Sequence, residues 1–233
     1  MSVREIWAVV FDLDGLLVDS EPLQAWAWDV YARRFGATLR DDVLARMLGL
    51  RAVDASGVFV EMLGLPVTPD VAMRERDEIF LEAASGRIAA HRGAAELVEA
   101  LRERGVPLAL ATSGHRWYVD LALASAGLSG RFDVEVTGDQ VERGKPHPDI
   151  YLRAAELLPA PPEHCLALED APNGVRAARA AGMVCFAVPE SGVPAGVDAA
   201  DEVLGSLRQV LPMLEPPSSY RLALRAGAHT NDR

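Results

Sequence analysis

Short apolar runs alternate with helical patterns along most of the chain. Runs rich in Val, Ile, Leu and Ala predict strands at residues 6–12, 107–112, 134–138, 165–169, 184–188 and 201–204. Between several of them, apolar residues recur at helical spacing, and most of these segments end in a glycine, which favours a helix C-cap. Consecutive apolar residues suit strands that are buried on both faces of a sheet. The pattern therefore predicts an α/β fold with a doubly wound, Rossmann-like parallel sheet.

One long segment interrupts this alternation. From residue 17 to residue 88, helical patterns follow one another and we expect no strand. The length suits a small helical bundle that is inserted after the first strand and joined to the core by two crossings of the chain. We therefore expect a core of residues 1–16 and 89–216, an inserted helical domain of residues 17–88, and a loosely held tail of residues 217–233.

Composition and charge exclude several classes of protein. Of the 233 residues, 50% are hydrophobic, which is enough for a full core, and the formal net charge is −11. No run rich in Lys or Arg suggests a nucleic-acid partner. No apolar stretch approaches the roughly 20 residues that cross a bilayer, and the N-terminus lacks the layout of a signal peptide. We expect a cytoplasmic monomer whose two cysteines, Cys165 and Cys185, are buried thiols.

Polar side chains follow several predicted strands or lie in the loops between them. They are Asp12, Asp14, Thr112, Ser113, Lys145, Glu169 and Asp170. In an open α/β sheet, ligands bind beyond the carboxyl ends of the strands. We therefore expect these carboxylates, hydroxyls and one ammonium group to meet at one edge of the sheet.

Each of these residues alone has an ordinary interpretation, as a helix cap or turn former for the acids, Thr112 and Ser113, and as a surface loop residue for Lys145. Together they do not, because grouped carboxylates repel one another unless a cation is present. Oxygen ligands without a cluster of His or Cys indicate a hard cation, for which Mg²⁺ is the best match. The segment GDQVERGKP is not a P-loop, since it has five residues between its glycines and Pro146 after the lysine, and no GxGxxG follows the first strand.

Four segments resemble, in order, the motifs of the haloacid dehalogenase superfamily, in its subfamily with a helical cap inserted after the first motif. They are FDLDGLLVDSE, ALATSG, GKPHPDIY and LEDAPNGVRAARAAGM. The resemblance extends from about Ile6 to about Leu214. Within the superfamily the chain is similar to phosphatases of small phosphorylated metabolites, including sugar-phosphate and pseudouridine-5'-phosphate phosphatases. The resemblance thus implies a phosphatase with a small phosphorylated metabolite as its partner.

The resemblance also implies roles for three charged residues. Asp12 is expected to attack phosphorus and form an aspartyl-phosphate, which water then hydrolyses. Asp14 is expected to protonate the leaving alcohol and later to activate the water. Lys145 is expected to pair with Asp12 and the phosphoryl group, and so to offset charge in the transition state.

Ligand-binding residues follow from the same resemblance. Thr112 and the backbone N–H groups of Ser113 and Gly114 are expected to hold the phosphoryl oxygens. A Mg²⁺ cofactor is expected, with ligands from Asp12, Asp14 through its main-chain carbonyl, Glu169 and Asp170.

The cap is expected to close over the site and to contribute substrate contacts. Arg51 in the segment GLR is a candidate contact for a polar substrate group, with an ordinary surface arginine as the alternative. Trp26 and Trp28 are two residues apart and cannot share a helix face. One of them is a candidate for the substrate side, with packing inside the cap as the alternative for both.

Three other functions stay open at this point. A β-phosphoglucomutase shares all four motifs, but mutases carry His where this chain has Gln24 and Arg where it has Ala52. A phospho-accepting receiver domain and a haloacid dehalogenase are more remote, because neither chemistry uses a second acid at Asp14. A magnesium-dependent phosphatase is the best interpretation.

Overall fold

The computed structural model of the chain describes residues 5–47, 49–84, 86–158, 160–189, 194–215 and 222–224. Its strands are Glu5–Ile6 (β1), Ala8–Phe11 (β2), Val18–Asp19 (β3), Ala89–Ala90 (β4), Leu108–Ala111 (β5), Val134–Val136 (β6), Cys165–Glu169 (β7), Val184–Ala187 (β8), Glu202–Val203 (β9), Leu214–Glu215 (β10) and Leu222–Leu224 (β11). Its α-helices are Glu21–Arg33 (α1), Asp41–Met47 (α2), Ala52–Leu63 (α3), Pro69–Ala84 (α4), Ala94–Glu103 (α5), Arg116–Ser125 (α6), Asp149–Leu157 (α7), Pro172–Ala180 (α8) and Val210–Met213 (α9).

The predicted strands form one parallel sheet in the order β6-β5-β2-β7-β8-β9. The first long strand, β2, lies in the interior of the sheet, where Val10 pairs with Ala109 of β5 and with Ala167 of β7. The doubly wound α/β fold is therefore confirmed. Its carboxyl ends bring β2, β5 and β7 side by side, so the residues that follow these strands are neighbours.

The two faces of this sheet differ in the size of their side chains. Alternate residues point to opposite faces, and one face carries mainly large residues, among them Phe11, Leu110, Leu168 and Phe186. The other face carries mainly small ones, among them Ala109, Ala111, Ala167, Cys185 and Ala187. Helices α7 and α8 pack on the small face, and the larger cluster on the opposite face continues into the inserted helices.

Helices α1 to α4 form the inserted domain, called the cap below. Helix α1 packs against α4, and α3 packs against both α2 and α4. An aromatic cluster fills the interior, with the ring centroids of Trp28 and Phe59 4.4 Å apart and those of Tyr31 and Phe59 6.1 Å apart. Burial of these rings holds the helices together, since isolated helices of this length are marginal in water.

The expectation of no strand between residues 17 and 88 is wrong at one place. Val18–Asp19 forms β3, which pairs in antiparallel fashion with β4, so that Val18 faces Ala90 and Asp19 faces Ala89. Strands of two residues are too short to produce an alternating pattern in the sequence. The two crossings between core and cap are therefore hydrogen-bonded to each other.

A second small sheet joins the two ends of the described chain. Strand β11 lies between β1 and β10 and is antiparallel to both. It belongs to the segment 217–233, for which we expected a loose tail, and residues 222–224 are the part of that segment that the structure describes. No helix within the described ranges has the length and apolar content needed to cross a membrane.

Candidate functional site

The predicted polar residues, with the exception of Thr112, meet in one cavity between the carboxyl edge of the central sheet and the cap. The core side of this cavity includes Asp12, Asp14, Lys145, Glu169 and Asp170. Asp12 directly follows β2, and Glu169 ends the adjacent β7, so the parallel register brings both carboxylates together. The cap side includes residues of α1 to α4, so the cap covers the site.

Lys145 joins two buried carboxylates. Its Nζ lies 2.7 Å from Asp12 Oδ1 and 2.6 Å from Glu169 Oε1, and its side chain is 2% exposed. Glu169 Oε1 also accepts a hydrogen bond from the Tyr151 hydroxyl. Burial lowers the pKa of Lys145, but the Asp12 and Glu169 carboxylates outweigh it and hold this pKa above its ordinary value. The ammonium group is therefore charged throughout the ordinary pH range.

Burial also shifts the carboxyl groups. It raises the pKa of Asp12 from 3.8 to about 7, with Lys145 opposing this rise and Glu169 adding to it. The pKa of Asp170 is raised well above its ordinary value, first by burial and then by the charges of Asp12 and Glu169. Both shifts mean that the ionised carboxylates lack enough positive charge around them.

A divalent cation fits this group of acids. Carboxylate oxygens of Asp12, Glu169 and Asp170 lie within 4.8 Å of one another. Asp170 Oδ1 is buried and has no hydrogen-bond partner among the described residues, so it has a free position for a ligand. An all-oxygen set of this kind matches Mg²⁺.

Asp14 is held by two hydroxyl donors. Ser20 Oγ and Tyr118 Oη both donate to Asp14 Oδ1. Burial raises the pKa of Asp14, and these two hydrogen bonds oppose the rise. The next residue must be a glycine, because Gly15 has φ +76° and a Cβ there would lie 2.3 Å from Asp170 Oδ2.

The turn after β5 brings two of its three predicted residues to the cavity. Ser113 and Gly114 line it, whereas Thr112 is fully buried behind them. The N–H of Gly114 donates to Thr112 Oγ1 at 3.1 Å, and Ser113 Oγ donates to the carbonyl of Gly49 in the cap at 3.1 Å. This turn therefore contacts both the core site and the cap.

Arg51 is not brought to the cavity, in contrast to the sequence expectation. Its Nε lies 2.7 Å from Asp54 Oδ2, and its Nη1 donates to the carbonyl oxygens of Val141 at 3.2 Å and Glu142 at 2.8 Å. Gly144 lies against it, since a Cβ there would be 2.6 Å from the Arg51 side chain. These partners occupy the guanidinium donors, so Arg51 connects the cap to the core.

Of the two tryptophans, Trp28 reaches the cavity and also packs in the cap interior. Trp26 is 43% exposed, which neither sequence interpretation anticipated. Gln24 and Ala52, where mutases are expected to differ, both line the cavity.

Sequence reasoning missed several residues of the site. Ser20 and Tyr151 lie inside the quoted motifs, and that position was the available signal. Tyr118 lies on an apolar helix face, where an aromatic residue is usually part of the core. Arg76 lies in the charged segment RERDE, a pattern typical of a solvated helix surface. Neither pattern distinguishes a site residue from an ordinary one.

Comparison with known proteins agrees with this geometry. A model of the haloacid dehalogenase-like hydrolase family matches residues 6–182. The chain is 37% identical over 207 residues to hexitol phosphatase A of Escherichia coli (strain K12), which covers 89% of this chain and 94% of that protein. It is 34% identical over 197 residues to a Drosophila melanogaster protein named "Probable pseudouridine-5'-phosphatase", and the matched region covers 81% of this chain and 84% of that protein.

A solved structure shares the fold. The β-phosphoglucomutase of Clostridium difficile superposes with a TM-score of 0.78 at 22% identity, covering 88% of this chain and 93% of that one. At this identity the likeness concerns the fold alone. The matched family model and the relatives above 30% identity together establish that the chain belongs to the haloacid dehalogenase-like hydrolases.

Proposed function

We propose that this hydrolase removes phosphate from a small phosphorylated metabolite, either a sugar phosphate or a nucleoside or pseudouridine monophosphate. The observation that carries the proposal is the buried Asp12 carboxylate, which lies 2.7 Å from the Lys145 ammonium group in the same cavity as Asp14. The names of the relatives, a hexitol phosphatase and a pseudouridine-5'-phosphatase, support the same substrate classes.

The first half-reaction uses both aspartates. A carboxylate oxygen of Asp12 attacks phosphorus, the bond from phosphorus to the ester oxygen breaks, and an aspartyl-phosphate forms. Asp14 gives its proton to the departing oxygen, so the product leaves as a neutral alcohol. The raised pKa of Asp14 supports this role, since burial helps to keep the proton on the carboxyl group until it is needed.

The second half-reaction restores the enzyme. Asp14, now ionised, takes a proton from a water molecule while that water attacks the phosphorus of the aspartyl-phosphate. The bond between phosphorus and Asp12 breaks, and inorganic phosphate leaves. Lys145 offsets negative charge in both steps, and the N–H group of Ser113 is the proposed donor to the phosphoryl oxygens, because the N–H group of Gly114 already donates to Thr112 Oγ1.

Mg²⁺ is part of the proposal. Asp12, Glu169 and Asp170 would hold it together with the main-chain carbonyl of Asp14. When bound, the ion would supply positive charge that neutralises the nucleophile and the phosphate group. The cap would exclude bulk water from the cavity during phosphoryl transfer.

The test is phosphate release from a panel of hexose, hexitol, nucleoside and pseudouridine monophosphates, with Mg²⁺ or with EDTA. We expect release to require Mg²⁺, to disappear in Asp12→Asn, and to be slowed in Asp14→Asn. Asp41→Asn is the matched control, because Asp41 is an exposed aspartate on the cap helix α2. Substantial release by Asp12→Asn would remove Asp12 as the nucleophile.

The alternatives give different results in the same assays. Conversion of β-glucose 1-phosphate to glucose 6-phosphate without net phosphate release would favour a mutase. An aspartyl-phosphate that persists for minutes would favour a receiver domain, and halide release from a haloacid would favour a dehalogenase. We also propose that the protein is cytoplasmic and monomeric. Sedimentation of the purified chain would test the monomeric state.

A further inference from the structure

Arg76 is a buried cation on the cap side of the cavity. It belongs to α4, is 6% exposed, and lines the same cavity as Asp12 and Asp14. Arginine is seldom buried to this degree unless other groups match its charge and its donors. The surroundings of this guanidinium therefore indicate what it does.

Two aromatic rings and one carboxylate hold the Arg76 guanidinium. Its central carbon lies 5.1 Å from the ring centroid of Trp28 and 5.1 Å from that of Phe80, within the range of cation–π attraction. Its Nη1 lies 2.9 Å from Asp77 Oδ1. All of these groups belong to the cap, so the guanidinium is oriented without any contribution from a ligand.

The Nε donor of this guanidinium remains unused. The Nε of Arg76 is buried and has no hydrogen-bond partner in the part of the chain that the structure describes. A buried charged donor without an acceptor is costly and rare in native proteins. Because Arg76 lines the cavity, an oxygen atom of a ligand is the natural partner for this N–H group.

The neighbouring carboxylate indicates which kind of oxygen fits. Asp77 also lines the cavity, and its charge cancels that of Arg76. A hydroxyl group both donates and accepts hydrogen bonds, so it matches a donor and an acceptor side by side. A second phosphate group would be repelled by the Asp77 carboxylate. Trp28 and Trp117 add aromatic surface to the same cavity, which suits the apolar face of a sugar or polyol.

Arg76 lies on the side of the cavity where the leaving alcohol of the proposed reaction would bind. The rings of Phe80 and Tyr118 pack edge to face with centroids 5.6 Å apart, and Tyr118 donates to Asp14. Arg76 thus lies one aromatic layer behind the tyrosine that holds the proposed acid. An oxygen bound to Arg76 would belong to the part of the substrate that leaves with the proton of Asp14.

We propose that Arg76 and Asp77 determine specificity by binding hydroxyl groups of a neutral, polyhydroxylated leaving alcohol, with Arg76 Nε as donor and Asp77 as acceptor. This inference rests on the proposed phosphatase function and narrows its substrate class. It selects monophosphates with several hydroxyl groups over bisphosphates and over simple alkyl phosphates.

The test compares two substrates in matched variants. One substrate is the monophosphate that the wild type hydrolyses best among sorbitol 6-phosphate, glucose 6-phosphate and pseudouridine-5'-phosphate, and the other is hexyl phosphate, whose leaving alcohol has no further hydroxyl. Arg76→Lys keeps the positive charge beside Asp77, and Arg76→Met removes it. Arg74→Met, an exposed arginine on the same helix, is the control.

Both Arg76 variants should lower the ratio of kcat/KM for the hydroxylated substrate to that for hexyl phosphate by about tenfold or more, through loss of a hydrogen bond from a charged donor. Hydrolysis of hexyl phosphate by the same variants serves as the control for folding and for intact chemistry. Arg74→Met should leave the ratio unchanged.

Two results would overturn the inference while the proposed function stands. One is that the Arg76 variants lose kcat/KM equally on both substrates, or on neither. The other is faster hydrolysis of fructose 1,6-bisphosphate than of every monophosphate by the wild type. A wild type that hydrolyses no phosphomonoester would instead overturn the proposed function itself, and this would be seen before any variant is made.

Discussion

Lys145 Nζ lies 2.7 Å from Asp12 Oδ1 although 133 positions separate the two residues in the chain. Lys145 is also the only lysine in a chain that has 23 basic residues, so arginine serves at every other basic position. A lysine suits this place because its ammonium group is compact and can bind two carboxylates from one point, whereas a guanidinium is a wide planar fork. When Asp12, Glu169 and Asp170 are all ionised, Lys145 offsets one of their three negative charges, and the remaining two equal the charge of a divalent ion.

Lys145→Met should impair both folding and catalysis. It would leave the carboxylates of Asp12 and Glu169 buried without their counter-ion, a change that costs about 3–5 kcal/mol in comparable buried pairs. Loss of the charge at the phosphoryl group should lower kcat by about 10²- to 10³-fold. Urea unfolding and phosphate release measure the two effects.

Two further variants separate charge from geometry at this position. Lys145→Arg keeps the charge, and we expect it to remain impaired because the larger group does not fit between the two carboxylates. Arg143→Met removes an exposed cation from the same loop and should change neither the free energy of unfolding nor kcat. Full activity in Lys145→Arg would show that charge alone is sufficient.

Magnesium should stabilise the protein more at higher pH. Burial raises the pKa of Asp12 from 3.8 to about 7 in the metal-free protein. Between these values the native state holds a proton that the unfolded chain has released, so the metal-free protein loses stability as the pH rises through this window. Metal binding requires ionised carboxylates and removes this loss.

The rise in Tm on adding Mg²⁺ should therefore be larger at about pH 8 than at about pH 5.5. Thermal unfolding with and without Mg²⁺ at both pH values is the measurement. In Asp12→Asn, the rise in Tm on adding Mg²⁺ should be smaller and should depend less on pH. An equal rise at both pH values in the wild type would contradict the raised pKa of Asp12.

Arg51 should affect cap closure rather than substrate recognition. Arg51→Ala removes the donors to Val141 and Glu142 of the core, so we expect a more open cap and a decrease in kcat/KM of about tenfold that is similar for every substrate. Hydrogen exchange in α3 should become faster.

The cap contains a matched control for this change. Arg40 forms a comparable two-bond contact with Asp42, but both residues are exposed and neither hydrogen bond reaches the core. Arg40→Ala should therefore leave kcat/KM and exchange in α3 unchanged. A loss in Arg51→Ala that is confined to one substrate would instead support the direct contact that the sequence suggested.

Two helical glycines should respond in opposite ways to the same substitution. In α8, a Cβ on Gly174 would lie 1.9 Å from the Glu169 carboxylate, whereas one on Gly57 in α3 would meet nothing within 4 Å. We expect Gly174→Ala to destabilise the protein by about 1–3 kcal/mol and to reduce activity, because Glu169 must move. Gly57→Ala should stabilise it by about 0.5–1 kcal/mol. Urea unfolding of both variants tests this contrast. Equal free energies of unfolding for Gly174→Ala and Gly57→Ala would contradict it.

The sequence was most informative where hydrophobic runs were long. The strands of the central sheet and the helices of the cap follow from the spacing of apolar residues, since burial of these side chains drives both packing and local structure. Strands of two residues, such as β3 and β4, leave no such pattern. They form because core and cap bring two short segments together, which is a tertiary effect.

Some residues of the site could likewise be predicted from the sequence, and others could not. The carboxylates, Lys145 and the turn at Ser113 could be predicted because each follows a strand or lies in a motif whose order is recognisable. Arg76 and Tyr118 could not, because their roles depend on how the cap is oriented over the core. Arg51 shows the same limit, since its place in the segment GLR did not reveal the carbonyl oxygens to which it donates.

The pairing of β3 with β4 also bears on how such a protein diversifies. The chain leaves the core and returns to it through one antiparallel pair, with Asp19 opposite Ala89 and Val18 opposite Ala90. A different helical bundle grafted between these two ends would meet the core through the same short junction. If cap residues such as Arg76 and Asp77 select the substrate, as we propose, substrate preference can be exchanged with the inserted helices while Asp12, Lys145 and Glu169 keep their places.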